Sequence, residues 1–286
     1  MRSGKAGAPT EIRTAGRAVR LKWRQLRRRP DDPPCARRNL VAGLAAGASL
    51  EVDIRRLACG RFVCLHDPRL EDETTGRGPV AGIDAAAVAR LELRGAAGEA
   101  PLLLDELAEA VRAGPTGASA RVQLDLQAAA TEIDAGVGEA FAAALAGLED
   151  RFILSGYDWD AVSRLGGRAP GLALGYDPTE DGALGTGGAA VDPAAVLRLV
   201  RETAPGAHTI YLPRELVRAS HERGDGLVAR LRAWGHLVDC WTIDHGAPDA
   251  AADMAAAIAA GCDQITTNTA LAWAAANLEG EPREPR

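Results

Sequence analysis

From residue 48 onward, short runs of β-branched and apolar residues alternate with longer segments rich in Ala, Leu and Arg whose apolar positions recur at helical spacing. Short apolar runs bounded by turn formers read as buried strands, and a 3.6-residue period between them reads as helices laid against a sheet. The pattern predicts strands over 49–54 (SLEVDI), 121–126 (RVQLDL), 151–155 (RFILS), 171–175 (GLALG), 208–212 (HTIYL), 237–243 (LVDCWTI) and 263–267 (DQITT), with 61–65 (RFVCL) as an excursion after the first. Helices are predicted over 103–112, 132–148, 192–203, 225–234 and 249–260, the third opened by Asp192-Pro193 as an N-cap and first-turn pair. Such alternation defines an α/β domain with a parallel sheet. Seven strands are one short of a closed (β/α)8 barrel, so a weak or frayed first strand is expected just before residue 40, where Pro33-Pro34 removes ladder donors. The predicted organisation is a TIM barrel over residues 34–278, a basic, disordered extension over 1–33, and a disordered tail over 279–286. The glycine-rich stretch 182–190 reads as a flexible connection, since no Gly-Lys-Ser/Thr follows it.

Charge sharpens this division. The chain of 286 residues carries a formal net charge of -6, yet residues 1–38 hold twelve Lys/Arg against three acids. Both lysines, Lys5 and Lys22, fall in this stretch, so the barrel is expected to contain none. An acidic remainder argues against nucleic acid as a partner. No stretch of about 18 uncharged apolar residues and no signal-peptide core are visible, which predicts a cytoplasmic protein without a transmembrane segment. Five scattered cysteines without a CxxC make disulfides and zinc improbable.

In a barrel, chemistry collects at the C-terminal strand ends and the loops after them. Glu51 and Asp53, two residues apart in SLEVDI, project from one face of their strand, and Asp125 ends the next predicted strand in VQLDLQ. Buried acids on one face repel unless something positive lies between them, and a hard divalent cation such as Mg²⁺ or Ca²⁺ prefers such oxygen ligands. His66 opens the HDP loop after an apolar run, where an imidazole can act as general acid or base. His245, in WTIDHG, is the other histidine at a predicted barrel mouth.

The run from ARRN through LEVDI to LHDP resembles the opening of the glycerophosphodiester phosphodiesterase family, in which an HR…N(T) segment, an ExD strand and an HD loop build the site. PLLLDELAEAV, VQLDLQ and the segment from LVDCWTIDHG to CDQITTN are similar to later parts of the same family. The resemblance implies a metal-dependent TIM-barrel hydrolase of small-molecule glycerophosphodiesters. It makes Glu51, Asp53 and Asp125 metal ligands, His66 a proton-transferring histidine, Arg37 the phosphate-contacting arginine, and Asn39 and Trp241 substrate-side residues. One family histidine is replaced by Ala36 on this alignment, a lysine by Gln127 and an aspartate by Asn268. Two readings follow: a phosphodiesterase with an altered acid/base pair, using His245 or Arg37 as substitute, or a catalytically silent barrel that binds a phosphodiester or another anion.

Overall fold

The computed structural model describes residues 10–14, 16–115, 120–179, 184 and 191–280, without the side chains of 277–280. Its strands are β1 (Glu11–Thr14), β2 (Arg17–Trp23), β3 (Ser49–Arg56), β4 (Phe62–Cys64), β5 (Val122–Leu126), β6 (Phe152–Ser155), β7 (Ala173–Tyr176), β8 (Thr209–Pro213), β9 (Leu237–Trp241) and β10 (Gln264–Thr267). Eight of them, β2, β3 and β5 to β10, run parallel, and the sheet closes because β2 pairs with β10 on one side and β3 on the other. The predicted TIM barrel is the observed fold. β1 lies antiparallel against the first half of β2, and β4 folds back antiparallel on the end of β3.

Seven barrel strands and the 61–65 excursion lie where the pattern placed them. The first does not. No strand precedes residue 40 in the Pro-rich segment; the first barrel strand is β2, inside the stretch predicted to be a basic extension. In RAVRLKW the apolar Val19, Leu21 and Trp23 are buried in the shell of core residues, while Arg20 and Lys22 between them occupy the other face. The cations masked that alternation. The extension is therefore corrected to a structured segment from residue 10 onward, and residues 1–9 lie outside the described residues, as do nearly all of 182–190 and most of the predicted tail.

Five predicted helices appear as Leu104–Ala113, Ala135–Leu145, Pro193–Thr203, Leu227–Ala233 and Ala250–Ala260. Asp192 caps the third as foreseen, accepting from the Ala194 N–H at 2.9 Å. A helix at Arg214–Arg223 was not foreseen, because polar contacts take part of the role of its apolar stripe: Arg214 and Arg218 pair with the buried Asp253 of the neighbouring helix at 3.4 and 3.1 Å. The main apolar cluster joins strands and helices, and a second one under residues 57–103 gathers Leu57, Val63, Leu65, Val80 and Leu93. No helix among the described residues is long and apolar enough to cross a membrane.

Candidate active site

At the C-terminal mouth of the barrel, a cavity of about 120 Å³ is lined by Arg24, Glu51, Asp53, His66, Asp125 and Trp241, among others. In the β3–β5 register Asp53 stands opposite Asp125 and Glu51 opposite Gln123, so the acids share the inward face of two adjacent strands. Glu51 and Asp53 are buried. Burial, reinforced by Asp53, pushes the Glu51 carboxyl up to about 8, and burial with Asp125 raises Asp53 to about 7. Asp125 accepts from Ser155 Oγ at 2.6 Å and from Gln127 Nε2 at 2.9 Å. The same Gln127 amide donates to Asp53 Oδ1 at 3.2 Å, so one neutral amide bridges the two carboxylates.

The positive charge comes from β2, not from the helix that follows it. Arg20 and Lys22 share one face of β2, and Arg24, the first residue beyond the strand, follows two residues later. Burial works against charge on Arg24, but Glu51, Asp53, Asp125 and Asp244 outweigh it and raise the guanidinium pKa. Directly after it, Gln25 (φ 50°) and Leu26 (φ 62°) both adopt the left-handed region, a conformation costing roughly 1–2 kcal/mol per non-glycine residue. This bend aims the Gln25 N–H at Glu51 Oε2, 2.7 Å away. One layer deeper, Lys22 is 2% exposed, pairs with Asp239 at 2.9 Å, donates to Gln123 Oε1 and lies over the Tyr211 ring. The expectation of a lysine-free barrel is thus overturned: a lysine stands at its centre, in contact with side chains of three other strands.

His66 reaches the mouth through the β3–β4 fold-back. With Ile54 opposite Cys64, the returning chain brings residue 66 back towards the level of Asp53. Arg55 holds it there, donating from Nε to the His66 carbonyl at 2.6 Å and from Nη1 to the Gln127 carbonyl at 3.3 Å. His66 Nδ1 lies 2.9 Å from Asp67 Oδ1. Trp241, at the end of β9, donates its indole N–H to Asp177 at 2.7 Å. Burial pushes Asp177 up to about 7, against its hydrogen bonds from Thr179 and Trp241.

Arg37 and Asn39 are not in this site. Both belong to the helix Arg37–Ala46: Arg37 is half exposed and pairs with Glu106 at 3.1 Å, and Asn39 is buried with its amide on the Pro33 carbonyl at 3.1 Å. Ala36 is buried in the second apolar cluster, so it marks no vacant catalytic position. The segment fits the family motif by residue type, but it opens a helix, and the barrel strand lies within the basic run before it. His245 packs edge-on against Trp273 with ring centroids 4.9 Å apart, and does not line the mouth cavity. Asn268 donates to Asp244 at 2.9 Å. The sequence reading missed Arg24, Lys22, Gln25, Asp177 and Tyr211. Asp177 carried a usable signal, an acid directly after an apolar strand and before proline, as in HDP.

Among the described residues, no group of three or more acidic, His or Cys side chains is arranged to hold a metal ion. The donor chemistry nevertheless fits a hard cation: carboxylate oxygens of Glu51, Asp53 and Asp125, two of them raised by burial and mutual repulsion, a situation that a bound cation relieves.

An acid-rich mouth on a (β/α)8 barrel is compatible with many reactions, and the sequence narrows the class. Residues 40–271 match the glycerophosphoryl diester phosphodiesterase family, and the chain belongs to that family of phosphoric diester hydrolases. The match begins beyond β2, so both that strand and Arg24 after it lie outside the matched residues. Similar solved structures include a glycerophosphodiester phosphodiesterase from Agrobacterium tumefaciens str. C58 (18% identity, 92% of this chain and 100% of that one, TM-score 0.64). Another is from Thermotoga maritima (14%, 90% and 98%, 0.63). A third is a phosphodiesterase from Oleispira antarctica in complex with the product sn-glycerol-3-phosphate (16%, 91% and 96%, 0.64). No curated protein matches this chain significantly.

Proposed function

We propose that the chain hydrolyses glycerophosphodiesters in the C-terminal mouth of its barrel, with Mg²⁺ or Ca²⁺ held by Glu51, Asp53 and Asp125. The products would be glycerol 3-phosphate and an alcohol such as choline or ethanolamine. The observation that carries this reading is the composition of one cavity: a guanidinium, four carboxylates and an imidazole at the end of the barrel where such enzymes keep their chemistry. A bound cation would neutralise phosphoryl oxygens and make an oxygen nucleophile more acidic. Arg24 offers its planar fork to the phosphoryl oxygens, the role first sought at Arg37. Its place among carboxylates keeps it charged and oriented. His66, with Nδ1 turned to Asp67, leaves Nε2 to take or return a proton. Trp241 forms a wall for the alcohol side, its orientation fixed by Asp177.

Of the five histidines, only His66 lines this cavity among the described residues. Leaving-group protonation matters most for strongly basic alkoxides, so turnover of glycerophosphocholine is slow relative to bis(p-nitrophenyl) phosphate. The test is a diesterase assay on protein stripped with EDTA and resupplied with Mg²⁺ or Ca²⁺. Turnover should require the cation, vanish in Glu51→Gln and fall in His66→Ala. One observation favours the silent-barrel reading: the Gln127 amide already bridges Asp53 and Asp125. Cation-dependent stabilisation without turnover of either diester would establish it.

A further inference from the structure

The mouth holds one imidazole, whereas phosphodiester hydrolysis moves two protons, one off the attacking oxygen and one onto the departing alkoxide. A second group must supply the latter. Among the acids that line the cavity, Asp177 stands apart. Glu51, Asp53 and Asp125 sit together on the adjacent strands β3 and β5. Asp177 instead follows β7, three strands round the barrel from β3, whose fold-back carries His66. Its backbone is fixed by an N–H donated to the Gly156 carbonyl at 3.1 Å. Its side chain is held by neutral donors: the Thr179 N–H at 2.8 Å and hydroxyl at 2.6 Å reach Oδ1, and the Trp241 indole N–H at 2.7 Å reaches Oδ2. No ion pair reaches Asp177 among the described residues. A carboxyl oxygen has two lone pairs, so Oδ2 retains a site for a proton beside the indole.

We propose that Asp177 is a catalytic residue, the proton donor to the leaving alcohol, working across the mouth cavity from His66. The role rests on the diesterase reading of the mouth. As the oxygen of water bonds to phosphorus, its proton passes to His66 Nε2. As the bond from phosphorus to the alcohol oxygen breaks, that oxygen takes the Asp177 proton. Water is thereby added across one ester bond, and the proton on His66 returns to Asp177 through solvent. Burial, with Asp125 adding to it, holds the Asp177 carboxyl up to about 7, so a protonated fraction persists at neutral pH.

The experiment compares kcat and KM of wild type and Asp177→Asn in Mg²⁺ on glycerophosphocholine and on bis(p-nitrophenyl) phosphate, with Mg²⁺ affinity measured by isothermal titration calorimetry. Asparagine keeps the shape and an acceptor but has no acidic proton. On glycerophosphocholine kcat should fall by about 10²- to 10⁴-fold, with KM within about threefold. On the aryl diester, whose p-nitrophenolate leaves without a proton, the loss should stay below about tenfold. Mg²⁺ affinity should be unchanged. Equal losses on both diesters would make Asp177 a positioning residue for Trp241, weakened Mg²⁺ binding would make it a ligand, and unchanged turnover would make it structural. Each of these overturns the proposal and leaves the diesterase reading standing, whereas a wild type that turns over neither diester overturns both. Should Asp177→Asn show no cooperative melt, Asp177→Ser is judged by the same ratio of the two losses.

Discussion

Adjacent strands β2 and β3 carry opposite charges into the same barrel. β2 and the turn directly after it contribute Arg20, Lys22 and Arg24 at every second position, and β3 contributes Glu51 and Asp53. The acids interrupt an otherwise apolar run, so their inward direction is readable. The cations sit in a segment dense with arginine, where charge resembles a solvated arm. What decides their position is the period of two shared with Val19, Leu21 and Trp23, not the density of charge. The comparison teaches that a basic run with alternating apolar partners is a candidate barrel stave, its cations the counter-charge for acids elsewhere.

The strongest way to break this comparison is to remove the stave. Deletion of residues 1–23 opens the pairings of β2 with both β10 and β3, and the truncated chain should show no cooperative thermal transition by circular dichroism. A native-like melt would return β2 to the status of an appendage.

Lys22→Met tests the central layer. It strands the buried Asp239 carboxylate without its partner and should destabilise by about 3–5 kcal/mol in urea unfolding, while Lys22→Met with Asp239→Leu recovers most of the loss. Equal destabilisation in the single and double variants would show that the pair does not act as a unit.

Arg24→Gln addresses the mouth. Loss of a charge-assisted phosphate contact should lower kcat/KM on a glycerophosphodiester by about 10²- to 10³-fold with the melt retained. A change of less than threefold would move the phosphate contact elsewhere.

A smaller effect separates the acids from the cations by pH. Glu51 and Asp53 are raised, to about 8 and about 7, so the folded state holds protons that the unfolded chain has released. Stability without a divalent cation should therefore fall as pH rises from about 4 through 8, and Mg²⁺ or Ca²⁺ should flatten that slope. Melting temperatures measured with and without EDTA at several pH values check this; a slope indifferent to cation and to Glu51→Gln would sink it.

The least effect is expected at Arg37, first read as the phosphate contact. Its half-exposed pair with Glu106 is worth roughly 0–1 kcal/mol, so Arg37→Gln should alter neither turnover nor stability measurably. A large loss of activity would restore Arg37 to the site.

Much of the molecule was legible in its sequence. Seven strands of the barrel announce themselves by apolar runs, and Glu51, Asp53, Asp125, His66 and Trp241 all line the one mouth. The rest was hidden for identifiable reasons. Arg24 is followed by two left-handed residues that are not glycine, so the customary mark of a tight turn is absent. Asn39 and Arg37 fitted a motif by residue type, but their backbone is helical and neither lines the mouth cavity. The helix at Arg214–Arg223 buries ion pairs where an apolar stripe is expected.

The seam between β2 and β10 also imposes an order of events during synthesis. Arg20 pairs with Gln264, so the first barrel strand made meets one neighbour only when the last has been translated. At about 5–20 residues per second, that edge stays open for roughly 10 to 50 s on the ribosome. An exposed strand edge of this duration invites pairing with other chains, and inward charges are among the devices that discourage it. The cations of β2 would thus keep nascent chains apart before they meet their acids, which links the chain's solubility during synthesis to the residues that later complete its polar interior.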